Sequence, residues 1–191
     1  MAEEPPVVLG VSGASGAPIA VRTLEALRDA KVSVSLVVSD AARIVLREEC
    51  DLDVKVLRTL ATRTYSDDDL AAPIASGSTP TRGMAVVPCS ANTAAKIALG
   101  LGDTLLTRAA AVHLKERRPL LVVPRETPLS TVYLRHLTTL SELGVVVLMA
   151  SPAYYLRPKS VDEMTDYLAG KVLDHLGVPH KLYRGWKAGS A

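Results

Sequence analysis

Short runs of β-branched apolar residues alternate along this chain with longer segments whose apolar positions repeat at helical spacing. The apolar runs, each of strand length, lie at 7–12, 32–38, 84–88, 119–124 and 144–149. Helices are predicted at 16–30, 40–49, 91–101, 104–117, 130–143 and 160–176. This alternation predicts an α/β fold, a three-layer Rossmann-like (flavodoxin-like) open parallel sheet with helices on both faces.

The first predicted helix follows Ser15, whose hydroxyl would cap it, and carries Ile19, Leu24 and Leu27 on its apolar side. Between 50 and 82 the periodicity weakens, apart from a short helix predicted near 55–61. Ordered folds rarely keep a long irregular connection without a use for it. We therefore interpret this stretch as a functional loop within a single domain that spans residues 1–191.

Composition argues against several classes of function. The 22 basic and 20 acidic residues nearly balance, so no field of one sign would recruit nucleic acid or an anionic membrane. Apolar runs of about five residues fall far short of the roughly 20 that span a bilayer. The acidic N-terminus MAEEPP does not resemble a secretory signal, and a cytoplasmic protein is expected. Cys50 and Cys89 lack metal-ligand spacing, so we expect thiols and no metal site.

Polar residues follow every predicted strand. In an open parallel sheet, ligands bind beyond the carboxyl ends of the strands. Here those positions hold 10-GVSGASGA-17, Ser39-Asp40, 88-PCSANT-93, Arg125-Glu126 and 151-SPAYYLRP-158. We expect these segments to surround a single crevice that suits a phosphorylated, planar ligand.

The first of these segments is a glycine loop before a helix, which lets the backbone and the positive helix end approach a phosphate. A mononucleotide phosphate is the favoured ligand. The spacing of Gly10, Gly13 and Gly16 also resembles a dinucleotide-binding loop, with Asp40 as the ribose acceptor, or a purely structural turn. The serine-rich turn 88-PCSANT-93 has no further glycine for a pyrophosphate, which disfavours the dinucleotide.

Charged and aromatic residues suggest how a second phosphate would be held. Arg108 and Lys115 are seven residues apart and fall within about 20° of one helix face, where they could clamp an anion. Alternatively, these residues belong to a solvent-exposed charged edge of the helix that continues into 115-KERR-118 and binds no ligand. Glu126, beside Arg125, could move a proton, or the two could form a strand-end salt bridge. Tyr154 and Tyr155 could offer a hydroxyl or a ring to a ligand, or simply pack.

Taken in order, seven segments resemble the UbiX-type flavin prenyltransferase family over nearly the whole chain: GVSGASGA, VVSDAA, ASGS, GMAVVPCS, DTLLTRAAAVHLKERRPLLVVPRETPL, LGVVVL and PAYYLRP. The resemblance implies a metal-independent prenyltransferase that joins the dimethylallyl group of dimethylallyl monophosphate to N5 and C6 of reduced FMN. The prenylated FMN would serve a UbiD-type decarboxylase. It also implies a large homo-oligomer, often a dodecamer, with FMN near subunit junctions.

By this resemblance, the residues that hold FMN are Gly13, Ala14, Ser15, Ser39, Ser90, Ala91, Asn92, Thr93 and Arg125. The prenyl phosphate would be bound by Arg108, Lys115, Arg125, Tyr155 and Lys171. Glu126, with Ser15 as a relay, would be the acid/base, and Glu49 and Lys115 would complete the catalytic set. Relatives commonly carry arginine where this chain has Lys171, and a lysine lacks the bidentate fork.

Two other functions remain open. A flavoprotein that decarboxylates a cysteine would suit 88-PCSANTAAKIALGLGD-103, but it needs a histidine that segment 63–83 lacks. A non-catalytic FMN carrier or assembly subunit of a decarboxylase system would bind the flavin and leave the prenyl phosphate unused. The substitution at Lys171 is compatible with that second alternative.

Overall fold

Six parallel strands form one sheet in the order β3-β2-β1-β4-β5-β6. The structure is a computed structural model, and it describes residues 4–185. The strands are β1 (Val7–Val11), β2 (Val34–Val38), β3 (Arg63–Tyr65), β4 (Gly83–Cys89), β5 (Leu120–Pro124) and β6 (Val146–Val147). The strand order reverses between β1 and β4, which is where ligands bind in doubly wound sheets.

Helices cover both faces of this sheet. They are α1 (Ala17–Asp29), α2 (Asp40–Cys50), α3 (Val54–Leu60), α4 (Ala91–Ala98), α5 (Leu105–Lys115), α6 (Thr131–Glu142) and α7 (Val161–His175). Because successive strand residues point to opposite faces, Val7 and Leu9 pack with α1, α2, α3 and α7, whereas Val8 packs with α4, α5 and α6. The predicted three-layer α/β fold is confirmed. No helix of the described residues is long and apolar enough to cross a bilayer.

The stretch 50–82 is more ordered than its weak periodicity predicts. It contains α3, the edge strand β3 and a 3-10 turn at Pro73–Ala75. β3 pairs with β2, with Thr64 opposite Leu36. The five-strand prediction is therefore wrong by one edge strand, because three residues are too few to show a period of two.

The predicted cap of the first helix is also wrong. The N-cap of α1 is Gly16 rather than Ser15, with φ of 113°, a left-handed backbone that glycine adopts without a steric penalty. In place of a hydroxyl, the carboxylate of Glu49 on α2 accepts hydrogen bonds from the N–H groups of Gly16 and Ala17, both at 2.8 Å. A long-range contact thus replaces the local cap.

Candidate functional site

A cavity of about 300 Å³ lies at the carboxyl edge of the sheet, beyond the ends of β1, β2 and β4. Five residues predicted to hold a cofactor line it: Gly13, Ser39, Ser90, Asn92 and Thr93. The sequence reasoning missed the other lining residues, which are Ala41, Asp67, Lys96, Thr104, Leu106 and Thr107. Four of these six are polar, and two of them, Asp67 and Thr104, come from the loops before α5.

Three helices begin at this cavity, so three positive dipole ends meet there. Ser39 caps α2, Ser90 caps α4 and Thr104 caps α5, each through its side-chain oxygen. At the start of α5, Asp67 already occupies part of the positive end of the helix. Its carboxylate accepts a hydrogen bond from the N–H group of Leu106 at 2.8 Å, and its backbone carbonyl accepts one from the N–H group of Leu105. The ends of α2 and α4 therefore remain the better anion site.

Gly13 lets the turn after β1 approach α2 closely. A Cβ at this position would overlap the side chain of Ala41 and come within 3.1 Å of the Ala41 carbonyl carbon. No ordinary side chain fits, so glycine is required for the backbone of the loop to reach this wall of the cavity. The hydroxyls, the helix ends and this close backbone approach fit a phosphate group such as that of FMN.

A second group of predicted residues is arranged around Glu49, which lies near the end of α2, ten residues beyond Ser39, and does not line the cavity. Burial raises the pKa of Glu49, but hydrogen bonds from the Ser15 hydroxyl and from Gly16 and Ala17, with the charge of Arg125, outweigh it and lower the pKa. Glu49 is consequently a carboxylate near neutral pH. The structure thus brings together three predicted site residues: Ser15 in the turn after β1, Glu49 on α2 and Arg125 directly after β5.

Glu126 follows β5 and is exposed, with one of its oxygens 3.1 Å from the N–H group of Thr127. The nearby side chain of Tyr133 is buried on α6, and its hydroxyl lies 3.5 Å from the carbonyl of Cys89. Burial, with the negative charge of Glu126, raises the pKa of Tyr133. Tyr133 therefore stays a neutral phenol beside the predicted acid/base, a neighbour that sequence reasoning did not identify.

Tyr155 and Lys171 belong to a second cluster, away from the phosphate cavity. Tyr155 lies in the 3-10 turn Tyr154–Leu156 and hydrogen-bonds Tyr167 of α7. Lys171 lies one turn further along α7, 3.1 Å from Asp174. The two predicted phosphate ligands are thus joined through α7, but they do not line the cavity that contains Ser39 and Ser90.

Lys115 lies at the opposite edge of the sheet from the cavity. It is nine residues beyond Leu106, which corresponds to about 14 Å along α5. Its ammonium pairs with Glu116 at 2.9 Å, while Arg108 hydrogen-bonds the carbonyl of Gly102 at 3.2 Å. Both cations are exposed on α5. Lys115 therefore does not reach this cavity within one subunit, whereas Arg108 directly follows Thr107, which lines it. Of the five polar segments expected to surround a single crevice, 125–126 and 151–158 do not line this cavity.

The remaining predicted cofactor residues flank the cavity without lining it. Ala14 donates its N–H to the carbonyl of Ser12 at 2.9 Å, and Ala91 begins α4. Ser12, which the sequence reasoning did not single out, is buried and bonds both Pro88 and Ser90. A serine inside a glycine loop was the only signal for it.

The chain matches the family described as Flavoprotein over residues 1–173. A curated relative from Thermoplasma acidophilum, named flavin prenyltransferase UbiX, is 52% identical over 180 residues, which cover 94% of this chain and 99% of the relative. A relative of the same name from Methanothermobacter thermautotrophicus is 43% identical and also covers 94% of this chain and 94% of the relative.

Solved structures agree with these sequence relatives. AnUbiX, crystallised in complex with FMN and dimethylallyl pyrophosphate, superposes with a TM-score of 0.94 at 37% identity and covers 97% of this chain and 98% of its own. A dodecameric FMN-dependent UbiX-like decarboxylase from Escherichia coli superposes with a TM-score of 0.93 at 40% identity, over 96% of this chain and 100% of its own.

Proposed function

This chain belongs to the UbiX-type flavin prenyltransferases of the Flavoprotein family, and on that premise we propose that it prenylates reduced FMN. The dimethylallyl group of dimethylallyl monophosphate becomes bonded to N5 and C6 of the flavin, and inorganic phosphate leaves. The observation that carries the proposal is the hydroxyl-lined cavity at the starts of α2, α4 and α5, at the switch point of the sheet.

FMN supplies the electron-rich ring that accepts the prenyl group, and the protein binds, orients and shields it. Ser39, Ser90 and Thr93 hold the FMN phosphate with hydroxyls and helix N-termini, while Gly13 brings the backbone close. Asn92 lines the same wall. Ala14, Ser15, Ala91 and Arg125 extend the FMN site along the turns after β1, β4 and β5.

Departure of the prenyl phosphate requires positive charge and donors placed where negative charge develops. Arg125, at the end of β5, and Tyr155 with Lys171, beside α7, have the required chemistry. Burial of the reacting atoms between these groups and the flavin excludes water, which would otherwise capture the prenyl group.

The proton lost from C6 needs a base. Glu126 is our proposed acid/base, because its exposed carboxylate follows β5 directly and can reach a ligand above the sheet edge. Ser15, hydrogen-bonded to Glu49, serves as the relay. Glu49 is held as a carboxylate by three hydrogen bonds and by Arg125, so it fixes the Ser15 hydroxyl and balances the guanidinium charge.

Lys115 acts, in this proposal, from another copy of the chain, whereas Arg108, in the first turn of α5, lies beside the cavity of its own subunit. Lys115 lies at the amino edge of its own sheet, about 14 Å along α5 from the cavity, and cannot serve that cavity within one subunit. In a closed homo-oligomer, the amino edge of one subunit can face the carboxyl edge of the next. A dodecamer, as named for the Escherichia coli neighbour, provides such junctions.

We further propose that the product passes, in the cytoplasm, to a UbiD-type decarboxylase. The experiment that tests the function is anaerobic incubation of the purified protein with reduced FMN and dimethylallyl monophosphate, followed by mass spectrometry of the released flavin. A gain of one C5H8 unit supports the transferase. Unmodified FMN, from protein shown to bind it, supports the carrier instead, and a parallel sample with the diphosphate tests the alternative donor.

A further inference from the structure

The C-terminal segment 178–184 lies against α7 through a polar cluster centred on Asp174. The carboxylate of Asp174 accepts hydrogen bonds from Lys171 Nζ at 3.1 Å and His180 Nε2 at 2.9 Å, and a short one from the hydroxyl of Tyr183. The rings of Tyr167 and Tyr183 pack edge to face with centroids 4.9 Å apart. One carboxylate therefore joins the helix to the segment that follows it.

Gly170 makes this docking possible. A Cβ at position 170 would come within 2.6 Å of the ring of Tyr183 and 2.8 Å of the ring of His180. Glycine is unfavourable inside a helix by about 1 kcal/mol relative to alanine. Its presence on α7 is explained by the close approach of these two rings, so the segment has a defined seat beside Lys171.

Lys171 is partly buried in this cluster. Its side chain is 33% exposed, and that of Asp174 is 38% exposed. Burial lowers the pKa of Lys171, but its contacts with Asp174 and Tyr183 outweigh burial and raise the pKa, so the ammonium form is favoured. A lysine has a flexible four-carbon stem and no planar fork, and it depends on neighbouring groups for a fixed position.

We propose that Asp174, itself held by His180 and Tyr183, is a positioning residue that fixes the Lys171 ammonium for the phosphate of the prenyl donor. An ammonium has three N–H donors, and Asp174 and Tyr183 both contact it, which leaves one for the phosphate. The inference rests on the proposed function, since it assigns Lys171 to the donor phosphate. It adds the C-terminal segment as the part of the chain that sets this contact.

Preorganisation lowers the entropy that binding must overcome. Without Asp174, the side chain of Lys171 samples several rotamers, and binding of the phosphate must then overcome the conformational entropy of that side chain. Removing Asp174 also removes a carboxylate that competes with the phosphate for Lys171, which by itself would strengthen phosphate binding. We expect the loss of a fixed lysine position to outweigh this gain in affinity, because Asp174 shares its charge among three donors.

The test is a double-mutant cycle on full-length protein with Asp174→Asn and Lys171→Ala, measuring KM for dimethylallyl monophosphate, kcat and FMN affinity. Asp174→Asn should raise KM about tenfold, with kcat and FMN affinity nearly unchanged. In the Lys171→Ala background, the same change should alter KM less than about twofold, because Asp174 acts through Lys171. Asp162→Asn, the same change in the first turn of α7, is the matched control and should leave KM unchanged.

Tyr183→Phe provides a milder variant that keeps the ring against Tyr167, and it should raise KM in the same direction even if Asp174→Asn folds poorly. Additive effects in the cycle, or a lower KM in Asp174→Asn, would overturn the inference while leaving the transferase intact. Wild-type protein that forms no prenylated flavin would overturn the proposed function, and the inference with it.

Discussion

The buried hydroxyl of Ser12 joins the turn after β1 to the turn after β4 through Ser90. Its oxygen accepts a hydrogen bond from Ser90 N at 2.8 Å and donates one to the carbonyl of Pro88 at 2.9 Å. Ser90 in turn caps α4 and lines the cavity. One hydroxyl thus sets the distance between the two turns that would hold the FMN phosphate.

Replacing this hydroxyl tests that relationship. Ser12→Ala should lower the free energy of unfolding by about 1–3 kcal/mol, because it leaves the partly buried N–H group of Ser90 without its partner. The carbonyl of Pro88 keeps a hydrogen bond from the backbone N–H of residue 12, at 3.2 Å in the wild type. It should also weaken FMN binding, as measured by titration of the apoprotein. Thr23→Val is the control, since the buried Thr23 hydroxyl has no hydrogen-bond partner among the described residues. Equal stability losses in the two variants would contradict the bridging role.

A methyl group at position 13 tests the shape of the cavity wall. Gly13→Ala should reduce FMN affinity at least tenfold, since its Cβ would overlap Ala41 and push the loop away from α2. Gly144→Ala imposes strain at a φ of 84° but has open space around it. That control should lose about 1 kcal/mol of stability and keep its FMN affinity. Unchanged FMN affinity in Gly13→Ala would show that the loop around Gly13 is not part of the FMN site.

The acid/base proposal predicts a separation between binding and chemistry. Glu126→Gln should retain bound FMN, because Glu126 does not line the phosphate cavity, while prenylation slows by about 10²-fold or more. Single-turnover mass spectrometry of the flavin measures this directly. Full activity in the variant would exclude Glu126 as the acid/base.

Because of His113, we expect the free energy of unfolding to depend on pH. The ring is fully buried, its Nδ1 donates to the carbonyl of Ala109 at 2.7 Å, and its Nε2 accepts from Thr81 at 2.9 Å. Burial lowers the pKa of His113, and the charge of Arg118 acts in the same direction. The unfolded chain therefore binds the proton more readily, so stability from this group is present above pH about 6.5 and is lost as the pH falls.

Urea unfolding at pH about 7.5 and about 5.5 measures this effect. The wild type should lose more stability between the two pH values than His113→Gln does. His175→Gln, at an exposed histidine at the end of α7, should behave like the wild type. An identical pH dependence in wild type and His113→Gln would show that His113 is not the titrating group.

Much of the site could be predicted because it follows buried strands. Gly13, Ser39 and Ser90 stand directly after apolar runs, and parallel strands place such residues on one edge. Asp67 and Lys96 could not be assigned in the same way. Asp67 follows β3, a strand too short to be predicted, and Lys96 lies inside α4. The capping pair Thr104 and Thr107 marked the start of α5 but not its position at the cavity.

Membership of the predicted family is confirmed by relatives that match nearly the whole chain, and the fold class agrees. The helix face shared by Arg108 and Lys115 was readable from their spacing, because helical periodicity is a local property. The sequence did not show which cavity this helix face would contact. The direction and length of α5 place Lys115 at the far edge of the sheet, so it becomes available to another copy of the chain.

The sequence by itself determined every α-helix and every strand except the short edge strand β3, their order and the chemical character of the turns, because local periodicity and turn residues act over a few positions. The tertiary structure alone decided the contacts that join distant positions: Glu49 on the start of α1, Ser12 with Ser90, and the C-terminal segment on Asp174. Such contacts depend on how helices cross the sheet and how closely backbones approach, which no local pattern encodes.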